Sequence, residues 1–383
     1  YRPSNHPMHL RDKEVTLAEL LKEEEYQTAI FGKWHLGCLP QDEKLNHPQP
    51  EDHGFDYYFA TENNAEPSHH NPVNFVRNGK KLGQLTGYSC QIVADEVISW
   101  MENHHKSRAP FFMYVAFHEP HASTQKTAPP KLVKKYSHFP EREANCYANI
   151  ENLDSAAGRI INHLIDKDLF DNTIVFFASD NGSYRLKANG GLKAVKSYLY
   201  EGGIRVPGIA HWKGFKNKPG LIIEEPAGLI DIFPTICTIL NVQTNNDKHL
   251  DGTSISDLPE EKVLKREKPL FWFFYRTSPE IALRTGDHII MGKDNDKVPR
   301  SHQFSARDMT YIKSLSLKDY ELYNLSDDPS QLKNILNESP QKDHYIKLIN
   351  DKLEEIKNKG YRWNQLPLKE DNPRRIKTEW VKY

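Results

Sequence analysis

Asn172-Thr-Ile-Val-Phe-Phe-Ala-Ser-Asp-Asn-Gly-Ser183 is the stretch that decides the fold. Residues 173–178 form a β-branched and aromatic run without charge, which predicts a fully buried strand in a parallel sheet covered by helices on both faces. Asp180, Asn181 and Gly182 follow at its carboxyl end, the edge at which open α/β sheets bind ligands. A carboxylate beside a side-chain amide offers two hard oxygen ligands, suited to Ca²⁺ or Mg²⁺ rather than zinc. Asp-Asn-Gly is equally an ordinary turn sequence, so other stretches must decide between the two.

Upstream, two more strands end in chemistry. Residues 28–31 read as a buried strand, followed by Gly32-Lys33-Trp34-His35-Leu36-Gly37, where two glycines let the loop turn tightly while Lys33 and His35 project from it. Residues 111–117 read as a second, followed by His118-Glu119-Pro120-His121. A helix precedes each strand of the series. Thr16 and Glu19 form a capping box ahead of Leu17, Leu20 and Leu21, with the helix ending near residue 25. Ser89 opens a second helix with Ile92, Val93, Val97, Ile98 and Met101 on one face, and residues 141–167 are a long amphipathic third. The alternation predicts an α/β fold, a doubly wound, mostly parallel sheet with its site along one edge. Residues 48–87 show little periodicity and read as a long loop, in which Asn63, Asn64, His69 and His70 are candidate substrate contacts.

Downstream, Lys196 lies just ahead of Tyr200-Glu201-Gly202-Gly203, and a strand resumes over 204–211. Asp231 is placed to cap a helix through Leu240, with Pro234 tolerated in its first turn. Residues 243–268 are polar and make the best linker. Short strands at 270–275, 281–284, 288–291 and 320–325 follow, with a hairpin at Gly286-Asp287 and a final amphipathic helix through Tyr345, Leu348, Ile349, Leu353 and Ile356. The expected division is therefore a catalytic α/β domain over 1–255 and a smaller α+β antiparallel-sheet subdomain over 256–383.

The 383 residues, 38% hydrophobic and 27% charged, suffice for one large core and a second, smaller one. A formal net charge of -1 gives no global pull toward nucleic acid or membrane surface, and no apolar run approaches the ~20 residues of a membrane span. Cys38, Cys90, Cys146 and Cys237 lie far apart, without metal-ligand or redox spacing.

Taken together, these motifs resemble the type I, formylglycine-dependent sulfatases of the alkaline phosphatase superfamily. The resemblance is carried by Gly-Lys-Trp-His-Leu-Gly at 32–37, Ser179-Asp180-Asn181-Gly182, the run from Lys196 through Tyr-Glu-Gly-Gly-Ile-Arg-Val-Pro207, Asp231-Ile-Phe-Pro-Thr235 and Leu322-Tyr-Asn-Leu-Ser-Asp-Asp-Pro329, in the family's order. Pro7-Met-His-Leu-Arg11 and the loop around His69 look most like bacterial arylsulfatases similar to N-acetylgalactosamine-6-sulfatase. The resemblance implies hydrolysis of sulfate esters of a carbohydrate by an extracytoplasmic enzyme. It implies one Ca²⁺ with Asp180 and Asn181 among its ligands, and Lys33 and Lys196 as fixed positive charge around the sulfate oxygens. The histidine matching His121 contacts the sulfate and helps protonate the departing alkoxide, and the one matching His35 assists breakdown of the covalent intermediate. The implied nucleophile is a formylglycine hydrate, made from Cys or Ser in a Cys/Ser-x-Pro-x-Arg motif by a formylglycine-generating or anaerobic sulfatase-maturating enzyme.

The chain departs from the family pattern at its amino end. No Cys/Ser-x-Pro-x-Arg occurs in it; Tyr1-Arg2-Pro3-Ser4-Asn5 lacks both the Cys and the Arg and stands too close to Lys33. The family's paired metal-binding aspartates are missing too. The expectation is that nucleophile, aspartates and first strand lie upstream of Tyr1, and that the chain by itself does not turn over. The alternatives are a nonenzymatic, glycan-binding pseudosulfatase and a phosphoesterase or phosphonate hydrolase of the same superfamily.

Overall fold

The computed structural model describes residues 9–40, 47–104, 109–121, 127–214, 220–243, 250–258, 264, 266–294 and 306–361. The stretch 1–5, the first two residues of Pro7-Met-His-Leu-Arg11 and about half of the expected linker lie outside the described residues. The chain divides into two compact units, Tyr1–Thr173 and Ile174–Tyr383.

The first unit is a helix-covered sheet. Helix α1 (Leu17–Glu23) begins at the expected capping box: Glu19 N–H donates to Thr16 Oγ1 at 3.1 Å and Thr16 N–H to Glu19 Oε2 at 2.8 Å. Strand β1 (Gln27–Lys33) is central. It pairs in parallel with β2 (Tyr57–Thr61) on one side and β5 (Phe111–Ala116) on the other, while β3 (Val76–Arg77) and β4 (Lys80–Lys81) extend the β2 edge antiparallel. Alternation along β1 serves two cores. Ala29 and Phe31 face a cluster with Val93, Val97, Trp100, Ile160 and Leu164 from helices α2 (Ser89–His104) and α4 (Glu141–Asp166). Ile30 faces the opposite side with Ala18 of α1, Trp34, Phe55 and Tyr58. A further short helix, α3 (Pro130–Lys135), packs against α4. The α/β architecture is the expected one, with an antiparallel edge added.

One expectation fails here. The segment 48–87 is not one long loop, because β2 lies inside it and is almost wholly buried. Its Tyr-Tyr-Phe-Ala-Thr is a good strand sequence, hidden in a segment whose Asn, His and Pro content signals loop.

The second unit carries a larger correction. The strand expected over 173–178 is β6 (Val175–Ala178). It is neither parallel nor fully buried: it pairs antiparallel with β7 (Gly208–His211), and Phe177 and Ile209 are 42% and 63% exposed. Burial comes from neighbours, and among the described residues β6 has one paired strand. Between them lies the short helix α5 (Glu201–Ile204), and α6 (Ile232–Leu240) follows. Asp231 precedes α6 without capping it by its side chain. Its carboxylate instead takes the Gly228 and Thr253 N–H groups at 2.7 and 2.8 Å and the two terminal guanidinium nitrogens of Arg266 at 2.9 and 2.6 Å.

The carboxyl-terminal part matches expectation closely. Strands β8 (Leu270–Phe273), β9 (Ile281–Thr285), β10 (His288–Lys293) and β11 (Asp319–Asn324) form an antiparallel sheet in the order β11-β10-β9-β8, and Gly286 at φ +57° turns the β9–β10 hairpin. Helix α8 (Lys342–Lys359) covers one face with Tyr345, Ile349 and Leu353. Helix α7 (Ala306–Ser314), which the sequence did not predict, precedes β11.

Candidate active site

In the first unit the carboxyl ends of β1, β2 and β5 bring several candidates together. Trp34 and His35 continue β1 by donating their N–H groups to Thr61 and Glu62 carbonyls at 2.9 and 2.8 Å, which sets Lys33 at the sheet edge and puts His35 at φ +53°. The step before them requires glycine: Gly32 has φ +92°, and a Cβ there would overlap the Ala116 carbonyl of β5. Lys33 Nζ reaches Asn64 Oδ1 at 3.5 Å, just beyond β2. Asn63 gives its carbonyl to the Thr61 hydroxyl at 2.8 Å.

His118 is buried below this edge. Because the Thr61 hydroxyl hydrogen goes to Asn63, its oxygen accepts from His118 Nε2–H at 2.7 Å, and the neutral ring leaves Nδ1 as a bare acceptor with no hydrogen-bond partner among the described residues. Burial holds the imidazole's pKa well below its ordinary 6.5, and the charges of His69, Lys33 and His121 push the same way. Lys33, His69 and His121 therefore all bear on one buried ring. The stability this contributes is complete above the unfolded-state value of about 6.5 and is lost as pH falls below it, since only the unfolded chain then binds the proton. Between about pH 7.5 and pH 5.5, urea unfolding of the parent should therefore lose on the order of 1 kcal/mol more than that of His118→Asn. Equal losses would show that His118 titrates normally.

His69 turns inward rather than outward: its Nε2 lies 2.8 Å from the His121 carbonyl and its Nδ1 3.3 Å from Ser89 Oγ. His70 is exposed and packs on Tyr88, ring centroids 4.8 Å apart. His118, Glu119, Ser89 and Thr61 were not singled out from sequence. The first two stood in the quoted His-Glu-Pro-His motif, Ser89 was assigned only as a helix start, and Thr61 gave no signal once its strand was missed.

In the second unit the Asp180–Asn181 bend is locked to the loop that carries Lys196. Gly182 N–H donates to the Gly203 carbonyl and Lys196 N–H to the Ser183 carbonyl, both at 2.9 Å. Gly182 must be glycine because a Cβ would meet the Gly202 carbonyl. The loop is anchored in turn on the antiparallel sheet. Lys193 Nζ lies 4.2 Å from the Tyr200 ring centroid and 3.0 Å from the Tyr323 hydroxyl, while Tyr200 and Tyr323 both donate to Glu321. Burial pushes the Tyr200 phenol well up and Glu321 beside it adds to the effect, so the hydroxyl stays a donor. Asp180 is exposed, and one carboxylate oxygen takes the Asn181 N–H at 3.0 Å.

Asp180 and Asn181 offer the oxygen donors a hard cation prefers, but two donors fall short of the six to eight that Ca²⁺ takes. Among the described residues no group of three or more His, Cys, Asp or Glu is placed to hold a metal. The donor type fits calcium, and the donor number requires further ligands.

Residues 1–242 match the family model described as Sulfatase. The chain is 30% identical over 280 residues to the uncharacterized sulfatase YdeN of Escherichia coli (strain K12), covering 68% of this chain and 49% of that protein. It is 27% identical over 313 residues to N-acetylgalactosamine-6-sulfatase of Canis lupus familiaris, covering 75% of this chain and 56% of that one. It thus spans about half the length of the curated relatives it matches. The crystal structure of Ps i-CgsB in complex with k-i-k-neocarrahexaose superposes with a TM-score of 0.74 at 21% identity, over 95% of this chain and 79% of that one, a likeness of fold. With the Sulfatase family model matched over 242 of its 383 residues, this chain belongs to the sulfatase family.

Proposed function

We propose that this chain is part of a sulfuric ester hydrolase that removes sulfate from a sulfated carbohydrate. The observation that carries it is the edge of the first sheet, where Lys33 stands beside Asn64 and, with His121, close enough to His118 to disfavour its protonation. A sulfate monoester repels a nucleophile until its charge is offset. On the first unit Lys33 supplies positive charge to the sulfate oxygens, and His121 holds the proton the leaving alkoxide needs. His35, on the same turn as Lys33, assists the second half of the reaction. On the second unit Lys196 adds positive charge, and Asp180 and Asn181 are two of the ligands of a Ca²⁺ ion, which when bound supplies Lewis-acid neutralisation of the sulfate. The nucleophile in this reading is a formylglycine hydrate contributed from outside the 383 residues, installed by a formylglycine-generating or anaerobic sulfatase-maturating enzyme. Asn63, Asn64 and His70 are the candidate contacts to the sugar. Carbohydrate is favoured by the named activity of the N-acetylgalactosamine-6-sulfatases and by the oligosaccharide bound to Ps i-CgsB. The division at 255/256 and an extracytoplasmic location belong to the same reading. Among the described residues no helix is long and apolar enough to cross a membrane.

Matched aryl sulfate and aryl phosphate esters, offered to protein expressed from its complete coding sequence, test the reaction class. Sulfate should be released and phosphate much more slowly. Faster phosphate release would mean a phosphoesterase, and release of neither would leave a glycan-binding role.

A further inference from the structure

Behind His121 lies a chain of polar groups that the reaction outlined above does not use. His69 is 4% exposed, Ser89 0% and Glu119 5%. Burying an imidazole, a hydroxyl and a carboxyl group together is costly unless each is bonded, and each of the three has a hydrogen bond, His69 to the His121 carbonyl and Ser89 to Glu119. His69 Nε2 is 2.8 Å from the His121 carbonyl oxygen. A carbonyl only accepts, so Nε2 carries the hydrogen, and Nδ1 faces Ser89 Oγ at 3.3 Å, a polar contact without a shared hydrogen because the Ser89 hydroxyl hydrogen goes to Glu119. The Ser89 hydroxyl in turn lies 2.7 Å from Glu119 Oε1, which also receives the Cys90 N–H of the first turn of α2 at 3.0 Å. Two backbone bonds close the arrangement: Ser89 N–H donates to the His69 carbonyl at 2.7 Å, and His121 N–H to the His118 carbonyl at 3.0 Å. His121 is thus held at both its N–H and its C=O, and the hold on the C=O passes through His69.

We infer that His69, Ser89 and Glu119 are positioning residues: together they fix the backbone of His121, and so the placement of the imidazole that meets the sulfate ester. This rests on the reading of His121 as the sulfate-contacting histidine. It gives His69 a role other than touching the sugar, since both its ring nitrogens face protein groups. It also accounts for a glutamate between His118 and His121: its Oε1 accepts from the amino end of α2, where a carboxylate is favoured, and from Ser89.

The test uses protein expressed from its complete coding sequence and four variants, His69→Ala, His69→Gln, Ser89→Ala and, as a control for the exchange readout alone, His70→Ala. Two readouts are taken on protein shown by urea unfolding to be folded: kcat and KM for sulfate release, and amide hydrogen exchange of the peptide spanning 118–121. His69→Ala should lower kcat by ~10- to 100-fold with KM within about threefold, the scale of a small misplacement of a reacting group. His69→Gln, whose amide N–H can donate to the same carbonyl, should recover much of that loss, and Ser89→Ala should fall between. Exchange over 118–121 should quicken in His69→Ala and stay at the parent rate in His70→Ala. Unchanged exchange and kcat in His69→Ala would overturn the inference. So would a raised KM with kcat intact, which would make His69 a substrate contact. Quickened exchange in a protein that releases no sulfate would uphold the positioning role and refute the functional reading instead.

Discussion

Replacing Arg266 by methionine should lower the unfolding free energy by about 3–5 kcal/mol, the cost of leaving a buried charge without its partner. Asp231 is completely buried, and both its oxygens face the Arg266 guanidinium in a two-pronged pair. The two backbone N–H groups that also point at the carboxylate cannot replace a full positive charge. The same carboxylate ties the turn before α6 to Thr253, so its loss loosens two segments at once. Urea unfolding should show the midpoint shift. The double variant Asp231→Asn, Arg266→Met should lose less than the sum of the two single changes, by about 0.5–3 kcal/mol of coupling. Additive losses would mean that the pair contributes no mutual energy.

Lys33→Ala should reduce kcat/KM for sulfate release by roughly 10²–10³-fold, as expected for removing one fixed electrostatic partner of the transition state. Stability should change little, because Lys33 is half-buried at the end of β1 and its backbone pairing with Thr61 does not depend on the side chain. Lys33→Arg should not restore the rate fully: a guanidinium keeps the charge but presents it as a wider planar fork. A variant as active as the parent would remove Lys33 from the site.

Most elements were legible because local signals and tertiary context agree in them. The capping box at Thr16, the buried run through Ile30 and Phe31, and the Gly286-Asp287 hairpin each have one sensible structural outcome. β2 was missed because its five strand-forming residues sit among Asn, His and Pro. β6 was misjudged in the other direction. Its composition states a preference for burial, but pairing direction and the neighbours that exclude water are properties of the assembled sheet. For the site, Lys33, His35, His121, Asp180 and Asn181 stood after strand-like runs and Lys196 in a loop, and it was the family resemblance that made them candidates together. What no spacing could reveal is that His69 faces inward and that Ser89, assigned as a helix start, stands between His69 and Glu119, since residues 69, 89 and 119 meet only after α2 packs on the sheet.

The central claim is attack at sulfur on a carbohydrate sulfate ester. It is tested most directly by incubating the complete protein with a sulfated oligosaccharide in ¹⁸O-labelled water and weighing both products by mass spectrometry. Cleavage of the sulfur–oxygen bond predicts ¹⁸O in the released sulfate and none in the sugar hydroxyl, with the rate of labelled-sulfate release lowered by roughly 10²–10³-fold in Lys33→Ala. Label in the sugar hydroxyl, or sulfate release at the parent rate in Lys33→Ala, would contradict the account.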